Sequence, residues 1–277
     1  MKLKRNERIG AIVKILCDNP NKIYTLSHFT ERFKAAKSTI SEDILVVRNV
    51  FEKMELGRVI TISGAAGGVK YIPRVSRTDM LEFLGDLSSQ MMDPQRVLPG
   101  GFLYLIDLIY DPEISFKIGR AFASSLDYSQ ADCVVTIETK GIPMALMTAK
   151  SMNLPLVIIR KNSKVSEGTS LSITYISGTK GSVQSMSLPT KALKEGSKVI
   201  LIDDFMRGGG TLKGMEDLMR EFKAEVLGKG VLIATKTPEE KMVGDYLSLL
   251  DLVEDEKNPL GITIEPNKNF LKKISEN

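Results

Sequence analysis

The stretch Lys198-Val199-Ile200-Leu201-Ile202-Asp203-Asp204-Phe205-Met206-Arg207-Gly208-Gly209-Gly210-Thr211 decides how this chain reads. Its apolar run is the pattern of a strand buried on both faces. Two carboxylates follow, then contiguous glycines, then Thr211 at the opening of a helix. Glycines let successive backbone N–H groups point at one anion, and the helix N-terminus adds partial positive charge. Thr211 adds a hydroxyl, so the loop is a phosphate cradle. Asp203 and Asp204 stand just before it, where carboxylates accept hydrogen bonds from the two hydroxyls of a ribose. No Gly-Lys-Ser/Thr follows the glycines, which excludes a Walker loop, and the contiguity of Gly208, Gly209 and Gly210 excludes a dinucleotide fingerprint. The competing reading is a glycine-rich turn whose acids face water.

Outward from this segment, apolar β-branched runs alternate with helical patterns: Cys133–Glu138, Ile142–Asn153, Leu156–Arg160, then Val199–Asp203, Leu212–Phe222 and Val226–Ala234. Such alternation predicts an α/β domain with a parallel sheet covered on both faces. Between Ser163 and Pro189 the chain is rich in Ser, Thr and Gly with a weak two-residue alternation, which predicts a mobile hairpin. A second loop, Glu138-Thr139-Lys140-Gly141-Ile142-Pro143, also joins a buried strand to a helix, and offers its backbone and Lys140 to a pyrophosphate. Arg160 and Lys161 follow the next strand and add positive charge at the same sheet edge, where α/β folds place ligands. Read plainly, they are a surface basic pair.

Charge separates the front of the chain from the rest. Residues 1–74 carry 14 Lys and Arg against 7 Asp and Glu, a net +7, leaving −3 for residues 75–277. A basic module ahead of a mildly acidic body is expected when only the front meets a polyanion. Arg5 to Asp18 has helical apolar spacing and is stopped by Asp18-Asn19-Pro20-Asn21; Thr25 or Ser27 caps a short second helix through Phe33. Thr39 and Glu42 have capping-box spacing at the start of a third helix, which turns Ile40, Ile44, Leu45, Val47, Phe51 and Met54 inward. Arg58–Ile62 and Val69–Pro73, around a glycine-rich turn, form a hairpin. Three helices and a hairpin make a winged helix-turn-helix. Its candidate DNA contacts are Lys37, Ser38, Thr39 and Ser41 at the start of the third helix, with Arg48, Arg58 and Lys70. The bland alternative is a small structural cap.

At 277 residues and 43% hydrophobic composition the chain supports two domains. The boundaries read as 1–74 for the winged helix and 75–277 for the α/β domain, with 75–97 a linker helix. That helix, Ser76 to Asp93, carries Met80, Leu81, Phe83, Leu84, Leu87, Met91 and Met92 on one face and packs on the large domain or on a sister subunit; its polar face is not basic, which argues against a membrane-surface role. No stretch reaches the roughly 18 apolar residues of a membrane span, and MKLKRNERIG has no apolar signal core, so a cytoplasmic protein without membrane contact is expected. Cys17 and Cys133 read as ordinary core residues. His28 has no second His or Cys at ligand spacing, so no metal site is expected.

The acid pair and glycine loop resemble the phosphoribosyl pyrophosphate motif of type I phosphoribosyltransferases. With the winged helix in front, the whole chain resembles the family of bacterial purine operon repressors, closely at Leu98-Pro99-Gly100-Gly101-Phe102, Thr139-Lys140-Gly141-Ile142-Pro143, Lys164-Val165-Ser166-Glu167-Gly168 and Ile202–Thr211. The resemblance implies a homodimer that binds paired half-sites of a double-stranded DNA operator upstream of purine genes and is released by phosphoribosyl pyrophosphate (PRPP). It implies that the alarmone ppGpp competes for the same pocket and favours repression. It places Asp203, Asp204, Phe205, Met206, Arg207, Gly208, Gly209, Gly210 and Thr211 at the sugar phosphate, Thr139, Lys140 and Gly141 at the pyrophosphate, and the Ser163–Pro189 hairpin over the ligand. Phe102 lies where such proteins offer an aromatic ring to a base; otherwise it is a core residue.

The resemblance departs where chemistry would need it. The position of Arg207 is an acid near the base in hypoxanthine-type enzymes, and an Ala-Thr pair replaces Arg207 and Gly208 in adenine-type ones. Here a cation and a hydrogen stand there, which argues for binding without transfer and for no catalytic residue. Arg207 instead adds positive charge for a more phosphorylated ligand. The alternative is an active purine phosphoribosyltransferase with an N-terminal oligomerisation or RNA-binding module. Repressor and activator are not distinguished by sequence. Magnesium is compatible with a pyrophosphate ligand, though the chain shows no dedicated cage.

Overall fold

A computed structural model describes residues 3–64, 67–98, 102–162, 168–177 and 182–276. The chain divides into two compact units, Met1–Ser76 with Lys150–Asn153, and Arg77–Ala149 with Leu154–Asn277.

The first unit runs α1 (Arg5–Asp18), α2 (Leu26–Phe33), α3 (Lys37–Lys53), β1 (Gly57–Ile62) and β2 (Gly68–Pro73). Thr25 Oγ1 accepts the His28 N–H at 3.2 Å and caps α2. Helix α3 begins earlier than the capping-box spacing predicts: Ala36 is its N-cap with no side-chain cap, so Thr39 lies inside the first turn. Ile40, Ile44, Val47 and Phe51 are buried as expected, whereas Leu45 is 52% and Met54 63% exposed. Leu45 is one residue, about 100°, round from Ile44 on a helix of 3.6 residues per turn, and so leaves the inward face. Met54 lies at the C-cap, past the helix end.

Strands β1 and β2 pair antiparallel, with Val59 opposite Tyr71 and Thr61 opposite Val69. Val59, Val69 and Tyr71 are buried against the helices. Tyr24 exchanges two backbone hydrogen bonds with Val69, at 2.9 and 2.8 Å, and so lays the segment before α2 along the free edge of the hairpin. Asp43, 1% exposed, accepts from Arg8 Nε at 2.7 Å and pairs with Arg5 at 3.5 Å. This pair ties α1 to α3 through the core of the unit. Cys17 is exposed, against the core reading, because it falls beside Leu16 on the outer face of α1; Cys133 is buried.

The second unit runs α4 (Arg77–Met91), β3 (Val97–Leu98), β4 (Phe102–Leu103), α5 (Ile106–Tyr110), α6 (Pro112–Ser125), β5 (Cys133–Ile137), α7 (Ile142–Met152) and β6 (Leu156–Ile159). There follow β7 (Ser170–Ser177), β8 (Ser182–Pro189), β9 (Lys198–Met206), α8 (Gly210–Glu221), β10 (Glu225–Thr235), β11 (Leu247–Glu254), β12 (Ile262–Pro266) and α9 (Lys268–Glu276). Helix α4 buries Met80, Leu84, Leu87 and Met91 and packs on β11, β12 and α9, while Leu81 is exposed.

The sheet order is β12-β11-β10-β9-β5-β6. All neighbours are parallel except β12, which is antiparallel to β11. Helix α8 packs against β9 and β10, and the Phe122 ring of α6 lies against Gly230 of β10. The chain leaves β5 for β6 at one edge and returns to β9 on the other side of β5. Strand order therefore reverses between β5 and β9, the topological switch point at which α/β sheets open a crevice at their carboxyl ends.

The sequence reading placed no element between Phe102 and Asp132 or beyond Ala234. A signal for α6 was present: Asp111 Oδ1 accepts the N–H groups of Glu113 and Ile114, both at 2.9 Å, with Pro112 in the first turn. The hairpin forms from Ser170↔Pro189 to Ser177↔Ser182 and is anchored, since Tyr175, Met186 and Leu188 join the core around α8. Pro99–Gly101 and Lys164–Glu167, quoted above for the resemblance, lie outside the described residues. Among the described residues no helix is long and apolar enough to cross a membrane.

Candidate functional site

Two loops meet at the switch point, Glu138–Gly141 after β5 and Arg207–Gly209 after β9. Asp203 and Asp204 lie within β9, which continues to Met206, so the acids are held by the sheet ladder rather than by a loop. Asp203 is buried, Asp204 half-buried, and the Asp204 N–H donates to Asp203 Oδ1 at 2.9 Å. Gly141 is packed against both strands: a Cβ there would come 2.6 Å from Thr136 Oγ1 and 3.5 Å from Asp203 Oδ1. Glycine at 141 lets the loop after β5 close against Thr136 of β5 and Asp203 of β9.

Burial pushes the Asp203 carboxyl well above the usual carboxylate range, and the charge of Asp204 pushes it further. Burial also raises Asp204, while its hydrogen bond with Asp203 and the charges of Lys140 and Lys161 hold it down. Two acids thus share a buried edge with cations near the outer one. Among the described residues, the Lys140 and Lys161 ammonium groups and the Arg207 guanidinium have no hydrogen bond or ion pair. Cations concentrated at a strand edge without partners form a positive field that suits an anion.

Glu138, not singled out from sequence, organises this edge. Its Oε1 accepts the Lys161 N–H at 2.6 Å and its Oε2 the Arg160 guanidinium at 3.2 Å. Arg160 is thereby engaged, and its backbone exchanges hydrogen bonds of 2.9 and 2.7 Å with Ser187 of the hairpin. Thr139 precedes Gly141 in the loop, and its carbonyl oxygen accepts from Tyr110 Oη at 3.5 Å.

The glycine loop turns as its sequence implies. Gly209 has φ +85° and serves as N-cap of α8, which starts at Gly210, one residue before Thr211. A Cβ on Gly210 would overlap the Ile176 carbonyl of the hairpin. Gly208 and Thr211 are half-buried and Arg207 exposed. Phe205 is half-buried in β9 opposite Ile233. Met206, expected at the ligand, sends its side chain into the core of the unit. For Phe102 the backbone pairs with Leu98 in β4, and its side chain lies outside what is described. Among the described residues no group of three or more metal-ligating side chains occurs.

In the winged unit, Lys37, Ser38 and Ser41 are exposed on the first turn of α3 and Thr39 is half-buried. Ser41 Oγ donates to the Lys37 carbonyl at 2.9 Å. Arg58 faces Ile72 and Lys70 faces Ile60 across the hairpin, so the two cations share its face opposite Val59 and Tyr71. Arg48 differs. Its Nε donates to the Val59 carbonyl at 2.8 Å and its Nη2 to Thr61 Oγ1 at 2.7 Å, fastening α3 to β1. A guanidinium so engaged holds the wing in place.

Comparison with known proteins gives a family for each of the two units. Residues 4–73 match the family Bacterial purine repressor, N-terminal, and residues 106–264 match Phosphoribosyl transferase domain. The chain is 42% identical over 277 residues to the Purine biosynthesis transcriptional repressor PurR of Bacillus subtilis, covering 100% of this chain and 97% of that one. It is 37% identical over 248 residues to the Purine biosynthesis transcriptional activator PurR of Lactococcus lactis subsp. lactis, covering 90% and 92%. An adenine phosphoribosyltransferase from Thermoanaerobacter pseudethanolicus superposes with TM-score 0.53 at 22% identity, over 60% of this chain and 98% of that one, a likeness of fold.

Proposed function

This chain belongs to the family of bacterial purine repressors, and we propose that it is a DNA-binding transcription regulator of purine biosynthesis genes whose second unit binds PRPP as the signal for release. The observation that carries the ligand is the Asp203–Asp204 pair on β9, one acid buried and the other half-buried, with the Lys140 and Lys161 charges acting on Asp204 and no hydrogen bond or ion pair to either ammonium group among the described residues. The acids accept the ribose hydroxyls, the Gly208–Thr211 cradle takes the 5-phosphate, and Lys140 with its loop takes the pyrophosphate. A magnesium ion accompanying the ligand would neutralise pyrophosphate charge and would be held mainly by the ligand itself, since no group of three or more metal-ligating side chains occurs among the described residues. The guanosine pyrophosphate ppGpp fits the same cations and competes with PRPP.

We read the protein as a repressor, after the Bacillus relative; the relative named an activator shows that the family architecture serves either sign. It acts as a homodimer on paired half-sites, with the start of α3, Arg58 and Lys70 at the DNA. Arg207 and Gly208 occupy the place where a transferase would act on a base, so the pocket binds its ligand without turning it over. Release requires that PRPP bind the DNA-free state more tightly than the DNA-bound one.

The experiment is titration of PRPP into the protein bound to purine-promoter DNA at fixed salt. Saturable release supports the reading. No release, with turnover of a purine base, replaces it with an active phosphoribosyltransferase.

A further inference from the structure

The glycine loop after β9 has an outer wall that the roles above leave unused. Residues 235–243, running on from the last residue of β10, lie against Arg207, Gly208 and Gly209 of the loop. Lys241 Nζ donates to the Arg207 carbonyl at 2.6 Å, and Thr235 Oγ1 reaches the same oxygen at 3.3 Å. The Met242 N–H donates to the Gly208 carbonyl at 2.9 Å. The Val243 side chain packs under Gly209, where a Cβ would come within 3.2 Å.

A trans peptide sets its N–H opposite its C=O. Holding the Arg207 oxygen outward on Lys241 therefore aims the Gly208 N–H away from the wall, and holding the Gly208 oxygen on Met242 does the same for the Gly209 N–H. These are the two amides ahead of α8 that a phosphate would meet. Glycine makes the arrangement possible and also makes it loose, because a residue without a Cβ reaches many backbone conformations at little cost. Something outside the loop must select one.

We propose that Lys241 is a positioning residue for the phosphate cradle, holding the Arg207 carbonyl outward so that the Gly208 and Gly209 amides are aimed at the ligand before it arrives. This rests on the reading of the pocket as a sugar-phosphate site and adds to it a residue that touches no ligand atom. Lys241 is half-buried, and burial together with the charges of Lys236 and Arg207 lowers its hold on its proton. A cation kept there against two neighbouring cations has its compensation in the two oxygens it meets, Arg207 O and Thr235 Oγ1.

The test is calorimetric binding of ribose 5-phosphate and, separately, of inorganic pyrophosphate to the full-length protein and to Lys241→Met and Lys241→Arg. Losing one charge-assisted hydrogen bond that orients the amides lowers ribose 5-phosphate affinity about tenfold in Lys241→Met. Pyrophosphate, held at the Lys140 loop, changes less than about twofold, and Lys241→Arg recovers most of the ribose 5-phosphate affinity. Equal losses for both ligands assign Lys241 a general electrostatic role and overturn the inference, as does a fall in melting temperature that accounts for the loss. Unchanged binding in Lys241→Met overturns it alone. Failure of the unmodified protein to bind either ligand overturns the sugar-phosphate reading and the inference with it.

Discussion

Glu138 accepts the backbone N–H of Lys161 at 2.6 Å, across 23 residues of sequence, and so fastens the loop after β5 to the end of β6. The same carboxylate takes the Arg160 guanidinium, and among the described residues the Lys161 and Lys140 ammonium groups, whose charges act on Asp204, have no hydrogen bond or ion pair. Replacing Glu138 with Ala removes both bonds. We expect a loss of about 1–3 kcal/mol in stability and a weaker PRPP response, measured as denaturant midpoint and as the ligand concentration for half-release of DNA. An unchanged response would show that the loop is set by its backbone alone.

Asp204→Ala removes the carboxylate proposed to accept a ribose hydroxyl while leaving the buried Asp203 in the sheet. The variant should bind operator DNA as the unmodified protein does and ignore PRPP. Ligand-sensitive release by Asp204→Ala would contradict the assignment of the pocket.

The acid pair also sets a pH dependence. Burial raises the Asp203 carboxyl in the folded state above its unfolded value, so the folded state holds more protons there. Its stability contribution is present at low pH and is lost as pH rises through that interval. Asp203→Asn removes the buried charge while keeping an oxygen for the Asp204 N–H. Its melting temperature should exceed that of the unmodified protein at neutral pH, with the gap closing towards about pH 4. A gap that widens on acidification would reverse the assigned direction.

The basic residues of the winged unit separate by partner. Arg58→Ala and Lys70→Ala should weaken all DNA similarly and lower the salt slope of binding by about 1 each. Arg48→Ala should instead destabilise the wing, since Val59 O and Thr61 lose their donor. A full unit drop in slope for Arg48→Ala without a change in melting would return it to the phosphate-binding set.

Asp43→Ala leaves Arg8 buried without its carboxylate. A broken buried pair costs about 3–5 kcal/mol, so the winged unit should melt first in a thermal scan and DNA binding should fall with it. Melting unaltered would mean that water reaches Arg8.

Sequence alone determined what depends on neighbours along the chain. The strand, acid pair, glycines and helix of 198–211 are contiguous, so the strand, the turn after it and the helix were legible there. The period of α1 and the glycine-rich turn of the wing are equally local. What tertiary structure decided are the contacts between distant segments. Glu138 meets Lys161, Arg48 meets Val59, and Lys241 meets Arg207 only after strands have been ordered and paired. Neither Lys241 nor Arg48 differs in sequence from a solvated surface cation. Burial likewise separated Met206 from its neighbours in the loop, because the register of β9 turns it into the core. Local propensity and pattern act over one or two turns of chain, whereas a long side chain's role is set by which donor or acceptor the folded sheet brings within 3 Å of its end.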